Sequence, residues 1–253
     1  MKPREHNVKH EVFLICVLAR LLRERKHVAV GANSPIPGAA ALLARELSGG
    51  TMRIEILGSH QYSTFSGLAD LFDCACTGRL DTFFLSPGQI DGRANINMVG
   101  IGPYPRLDVR WSGGHGSPLL YMMIPNIILF RPDHRRRSLV PKVDFISAPG
   151  VSQPNVYRPG GPGALVTSMA QFSFVRKRKR FRLESVHPGH TVDSVIENTG
   201  FDFDWSRSVP VTPEPDPNML RLIDERIISQ IAELYPNFAA SLAERADSTK
   251  PSI

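Results

Sequence analysis

Apolar and polar residues alternate along this chain with two periods, and the switches between them mark its elements. From His10 to Glu24, the residues Val12, Ile15, Cys16, Ala19 and Leu22 recur at helical spacing, which predicts an amphipathic helix packed on a core. His27 to Gly31 (HVAVG) reads as a short buried strand stopped by glycine. The loop Ala32 to Pro37 is expected to stay non-helical through its prolines, whereas Gly38 to Leu47 is made of good helix formers. Met52 to Leu57 is the next strand, closed by Gly58. Gly67 to Cys76 is helix-like, ending at Gly78, and Asp81 to Leu85 is strand-like. Strand, helix, strand at this rhythm implies parallel strands with helical crossovers.

From Ser86 to Gly116 the chain is rich in glycine and proline, with few helix signals. Strands are expected again at Asn126 to Phe130 and Val143 to Ser147. A hairpin should follow, from Gln171 to Val175 and Phe181 to His187. Thr191 can cap a helix running to about Asn198, with Gly200 placed to end it. A proline-rich strap, Val209 to Pro217, leads to a last helix over Asn218 to Tyr235, and the polar tail beyond about Ala246 is expected to be disordered. There is no internal repeat. The simplest account is α/β: one domain over residues 1–253, a three-layer α/β/α sandwich with a mainly parallel sheet.

Composition narrows the class. With 253 residues, 42% hydrophobic and a net charge of +6, the chain can bury a sizeable core and is not a disordered segment. Its longest apolar stretch, Val12 to Ala19, is too short to span a bilayer, so no membrane partner is expected. The charged start (Lys2, Arg4, Glu5, His6) lacks the pattern of a secretory signal. Three cysteines, an odd number, point to a reducing cytoplasm.

The positive charge is clustered, in Arg135-Arg136-Arg137 and in Arg176-Lys177-Arg178-Lys179-Arg180 with Arg182. The second cluster falls between two strand-like segments and reads as a charged turn. Without a zinc-ligand pattern, a helix-turn-helix signature or interleaved aromatics beyond Phe181, nucleic acid is not an expected partner. A basic surface for a phosphorylated small molecule or an acidic subunit stays open.

Generic active-site motifs are absent: no phosphate loop, no dinucleotide fingerprint, no nucleophile elbow. Cys74 and Cys76, two apart on a predicted helix, face different ways, and no metal site is expected. Backbone chemistry stands out instead. Ser112-Gly113-Gly114-His115-Gly116-Ser117-Pro118 is a turn whose N–H groups can approach an oxyanion closely. Gly88-Gln89-Ile90-Asp91 followed by Asn95-Ile96-Asn97 places three amides and a carboxylate near a strand end, where open parallel sheets bind ligands.

The order of these pieces resembles the B (β) subunit of glutaconate-type, family I heteromeric CoA-transferases, over about His10 to Ile227. The resemblance rests on Val30-Gly31 before the proline loop, Gly88-Gln89-Ile90-Asp91 with Asn95-Ile96-Asn97, and Ser112-Gly113-Gly114. It continues through Lys142 to Gly150 (KVDFISAPG), His187-Pro188-Gly189 and Glu197 to Asp202 (ENTGFD). It implies a companion A (α) subunit, acyl-CoA and a small carboxylic acid as substrates, and coenzyme A as a substrate moiety rather than a permanently bound cofactor. In that chemistry a glutamate attacks the thioester, passes through an anhydride and forms a glutamyl-CoA thioester, with backbone N–H groups holding the oxyanion. The resemblance places Gly113 and Gly114 in the glycine wall of the site, Gln89, Asp91, Asn95 and Asn97 lining or supporting it, and Gly88 with them among the CoA- or oxyanion-binding residues. Ala94 stands where the family usually has glycine.

The nucleophile is the larger departure. Counting from Val30-Gly31 puts the family glutamate on Glu55; matching Gly58 to the family glycine puts it on Ile56. A glutamate at position 55 also points opposite to Ile54 and Ile56, and two apolar residues separate it from the glycine. Without that glutamate, covalent transfer is lost but thioester binding is not. Relatives lacking it decarboxylate glutaconyl-type CoA esters or open rings of steroid-derived CoA esters. Ser59 and His60, just past the strand, could then supply polar or acid/base groups. A non-catalytic protein binding CoA esters is a further alternative.

Overall fold

The computed structural model describes residues 8–248. Expectations that fall on Lys2, Arg4, Glu5 and His6, and on residues 249–253 of the tail, lie outside the described residues. The chain divides into two compact units, one of residues 1–66 and 214–253, the other of residues 67–213.

The first unit opens with α1 (Val8–Leu21), β1 (His27–Val30), α2 (Pro35–Leu47) and β2 (Arg53–Ile56). The two strands are parallel, with Val28 opposite Ile54 and Val30 opposite Ile56, as the helical crossover between them requires. All of Val12 to Ala19 is buried, so α1 is enclosed on every side and not on the expected stripe alone. Helix α2 starts a turn earlier than expected. Pro35 and Pro37 lie in its first turn, where backbone donors have no intrahelical acceptor and a missing N–H does no harm.

The second unit begins with α3 (Leu68–Cys76) and β3 (Thr82–Leu85). Two small hairpins occupy the glycine-rich stretch: β4 (Gln89–Ile90) with β5 (Ile96–Asn97), and β6 (Gly100–Ile101) with β7 (Val109–Arg110). Then follow α4 (Ser117–Met123), β8 (Asn126–Phe130), β9 (Pro162–Val166), β10 (Ala170–Val175), β11 (Arg180–Val186), α5 (Val192–Asn198) and β12 (Asp204–Trp205). The strand order in this unit is β12-β11-β10-β9-β8-β3. Pairs β3–β8, β8–β9 and β11–β12 are parallel, and β10 is antiparallel to both neighbours. The basic turn does join a hairpin, and Thr191 caps α5 through a reciprocal bond with Ser194.

Two expectations fail here. Val143 to Ser147 is not a strand, because its backbone is engaged elsewhere: Asp144 N donates to the Gln89 side chain and Ser147 N to Ile96 O. The strand beside β8 is β9, which the sequence hides behind Pro162 and Gly163.

The chain then returns to the first unit with α6 (Pro217–Leu222), a π turn (Ile223–Ile227), α7 (Ile228–Ala232) and α8 (Pro236–Ser248). The expected last helix therefore contains a π turn and stops ahead of Pro236, which starts a further, unexpected helix. A Cβ on Gly38 would lie 3.2 Å from Ile231 Cδ1, so glycine lets α2 and α7 approach closely. No described helix is long and apolar enough to cross a membrane.

Candidate functional site

In the first unit, β2 ends in a turn built by hydrogen bonds. Leu57 N donates to Val30 O, Ser59 N to Ile56 O, and Ile56 N to Tyr62 O, while Gly58 takes a φ of +93° that glycine adopts without strain. This turn folds residues 62–64 back along the strand and decides the surroundings of Glu55.

The Glu55 side chain is 0% exposed. Its Oε2 accepts from Thr64 N at 2.6 Å, and its Oε1 from Thr64 Oγ1 at 2.8 Å and Arg53 Nε at 3.1 Å. Arg53 Nη2 lies 3.0 Å from Oε1, and His27 Nε2 lies at 3.7 Å. Hydrogen bonds of this kind offset the cost of burying a carboxyl group. Ile54 and Ile56, also buried, point to the other face of the strand.

Ser59 and His60 meet a residue that sequence reasoning missed. Ser59 Oγ donates to Glu233 Oε2 at 2.6 Å, and His60 N donates to Glu233 Oε1 at 2.7 Å. Ser59 Oγ also accepts from Gln61 N and Tyr62 N. The Ser59 hydroxyl, with the backbone N–H groups beside it, holds the exposed Glu233 carboxyl below its ordinary range. Glu233 lies 174 residues from Ser59 in the chain, and no local pattern marks it. The imidazole of His60 is exposed.

In the second unit the predicted polar residues form two linked lattices on the β4–β5 hairpin. Gln89 and Asn97 are opposite each other in its register. Asn97 Nδ2 donates to Gln89 Oε1 at 2.8 Å and to Gly100 O at 2.6 Å, while its Oδ1 accepts from Val99 N at 2.9 Å. Gln89 Oε1 also accepts from Asp144 N, and Gln89 Nε2 donates to Asp144 Oδ2, which receives Gly102 N as well. Asp144 is thus a supporting residue, hidden in the segment whose pattern suggests a strand.

The second lattice centres on Asp91. Its Oδ1 accepts from Arg93 N and Asn95 N, its Oδ2 from Asn95 Nδ2 at 2.9 Å, and Asn95 Oδ1 accepts from Gly150 N. This cradle holds Ala94 at a φ of +58°, with Ala94 O accepting from the Tyr121 hydroxyl. A left-handed backbone is the physical reason glycine suits this position.

The glycine turn is anchored to the same hairpin. Trp111 N donates to Val99 O, and the Trp111 indole covers Gly88, where a Cβ would come within 2.1 Å of the ring. Gly88 N donates to Asn97 O. Two residues after Trp111, Gly113 has a φ of +99° with open space around it. Among the described residues the amides of Gly113 and Gly114 donate no hydrogen bond. The structure thus brings Gly88, Gln89, Asp91, Asn95 and Asn97 together as a hydrogen-bonded platform carrying a turn whose two amides donate no hydrogen bond among the described residues. Among the described residues no group of three or more His, Cys, Asp or Glu could hold a metal ion.

A model of the coenzyme A transferase family matches residues 14–198. The B chain of glutaconate CoA-transferase from Acidaminococcus fermentans is 33% identical over 151 residues, 57% of this chain and 56% of that protein. The cholesterol ring-cleaving hydrolase IpdB subunit of Rhodococcus jostii is 30% identical over 159 residues, 61% of this chain and 62% of its own. The chain spans a little over half the length of these relatives. Among solved structures, glutaconate coenzyme A-transferase from Acidaminococcus fermentans matches with a TM-score of 0.74 at 24% identity, over 85% of this chain and 93% of that one. The decarboxylase AibA/AibB matches with a TM-score of 0.72 at 24% identity, over 93% of this chain and 99% of that one. These likenesses show the expected three-layer α/β fold, with a mainly parallel sheet. With the family match spanning residues 14–198, from α1 past the glycine turn to α5, the chain belongs to the coenzyme A transferase family.

Proposed function

We propose that this chain is the B-type subunit of a heteromeric enzyme that acts on an acyl-CoA thioester together with an A-type partner. The observation that carries this reading is the platform of Gln89, Asn97, Asp91 and Asn95, which holds a glycine turn with two amides that donate no hydrogen bond among the described residues. Donors fixed before the substrate arrives stabilise a tetrahedral oxyanion without reorganising. Gly113 and Gly114 supply them, and the platform residues position them. The relatives' designation as B subunits and the two-chain name of AibA/AibB support the partner. A cytoplasmic setting belongs to the same proposal and rests on the odd cysteine count.

In CoA transfer, a Glu55 oxygen attacks the thioester carbon and CoA leaves as a thiolate, giving a mixed anhydride. The thiolate then attacks the glutamyl carbonyl, releasing the first acid as a carboxylate. A second carboxylate attacks the glutamyl-CoA carbonyl and expels the CoA thiolate, giving a second mixed anhydride. The thiolate then attacks the new acyl carbonyl and expels the Glu55 carboxylate, leaving the new acyl-CoA. This route requires Glu55 to leave Thr64 and Arg53. A second reading is favoured by the hydrogen bonds to both Glu55 oxygens and by Ile56 at the strand end. In it the complex acts on a CoA ester without a glutamyl adduct, by decarboxylation or hydrolysis.

The test is turnover by the reconstituted two-chain complex, with hydroxylamine and borohydride trapping. Transfer predicts a trapped adduct at Glu55 and loss of activity in Glu55→Gln. The second reading predicts turnover without adduct and an active Glu55→Gln enzyme. Absence of turnover with every CoA ester tried refutes both.

A further inference from the structure

The thioester reading above gives no role to the basic turn at Arg176 to Arg180. Its Arg178, Lys179 and Arg180 form one wall of a concavity of about 730 Å³ within the second unit, and Lys142 and Arg93 line it with them. Five cationic side chains thus converge on one space, where a merely solvated turn would spread them into water. Asp91 and Asp202 are the carboxylates in the lining, and Asp91 is engaged by the Arg93 and Asn95 amides.

The cations differ in their freedom. Arg178 and Arg180 share Asp204, at 3.0 and 3.2 Å, and β12 carries that carboxylate beside β11. Arg93, Lys142 and Lys179 are exposed and have no carboxylate partner among the described residues. The lining also contains Phe201, half-buried, stacked on Phe181 at 5.6 Å and seated against Gly92. An aromatic face among unpaired cations suits a ligand that joins phosphate groups to a flat ring. The volume is that of a small-molecule site.

The geometry points to this groove as a binding site for a phosphorylated nucleoside. Lys142, Lys179 and Arg93 take its phosphates, and Phe201 offers a stacking face for its base. This deepens the thioester reading, on which it rests only for the ligand's source: under that reading the nucleoside is the phosphoadenosine end of coenzyme A, and otherwise a free nucleotide.

The experiment is calorimetric titration of the full chain with adenosine 3′,5′-bisphosphate, ADP, coenzyme A, pantetheine and inorganic phosphate. Adenosine 3′,5′-bisphosphate is expected to bind and to compete with coenzyme A, while pantetheine does not displace it. The double variant Lys142→Ala/Lys179→Ala, with unchanged circular dichroism, is expected to weaken binding about tenfold or more, the scale of lost charge-assisted bonds. Phe201→Leu, which keeps the apolar packing, should weaken nucleotides but not inorganic phosphate. ADP binding that the double variant abolishes, without coenzyme A binding, supports the groove with a free nucleotide as its source. Nucleotide binding unchanged in the double variant, or no binding at all, overturns the groove. If the two-chain complex then still turns over a CoA ester with unaltered KM, the thioester function stands without it.

Discussion

Replacing Asn97 by aspartate changes one NH2 group into one oxygen and leaves the shape of the side chain almost untouched. Asn97 is 0% exposed, and its Nδ2 faces two acceptors, Gln89 Oε1 and Gly100 O. A protonated carboxyl can still donate to one of them, so at low pH the loss is roughly one hydrogen bond, about 1–2 kcal/mol. An ionised carboxyl donates to neither and is buried against two oxygens. Both effects raise its pKa in the folded state above the unfolded value of about 3.9. For an acid so raised, the folded state binds more protons, so stability is greatest below the unfolded pKa and falls as pH rises toward the folded one. The deficit of Asn97→Asp relative to wild type should therefore grow by about 1.4 kcal/mol per pH unit within that window. Urea unfolding followed by circular dichroism at pH 5, 6 and 7 measures it. Asn97→Ala serves as the control, whose deficit should not vary with pH. A constant Asn97→Asp deficit over this range would refute the closed network and with it the hydrogen-bonded platform.

Other outcomes follow from the same geometry. His134 is buried between the hydroxyls of Thr167 and Thr199, and burial pushes its pKa down to about 4 from 6.5. The unfolded chain takes up a proton that the folded one refuses, so stability falls as pH drops through that window, by about 3 kcal/mol in all. His134→Gln should remove this slope in acid-range urea titrations. Gly88→Ala should drive the Trp111 indole outward, because a Cβ would come within 2.1 Å of it. Tryptophan emission would shift to the red, and turnover would fall with the displaced glycine turn. Glu233→Ala should speed amide hydrogen exchange at His60, whose N–H it accepts, while leaving the cores of both units protected.

The elements that repeat a local rule were legible. The short buried strand HVAVG and the helix after it, the Thr191 cap and the hairpin about the basic turn each depend on residues within a few positions. The ordered turns Gly88 to Asn97 and Ser112 to Gly116 were legible as well. Their residue types are set by backbone needs, as the positive φ of Ala94 and Gly113 shows. Strand β9 was obscured because Pro162 and Gly163 contradict strand propensity, and sheet pairing with β8 overrides them.

The chain by itself therefore determined the alternation of helix and parallel strand in its first half, the hairpin about the basic turn and the family resemblance. Tertiary structure decided what the candidate site residues touch. Glu55 gains its hydrogen-bond partner Thr64 only when the turn after β2 folds back along the strand. Ser59 acquires Glu233 from the far end of the chain, and the basic turn acquires its groove from Arg93 and Lys142. Local patterns govern backbone conformation, because the atoms involved are neighbours in sequence. A side chain's electrostatic surroundings come from distant segments that meet only when the core forms.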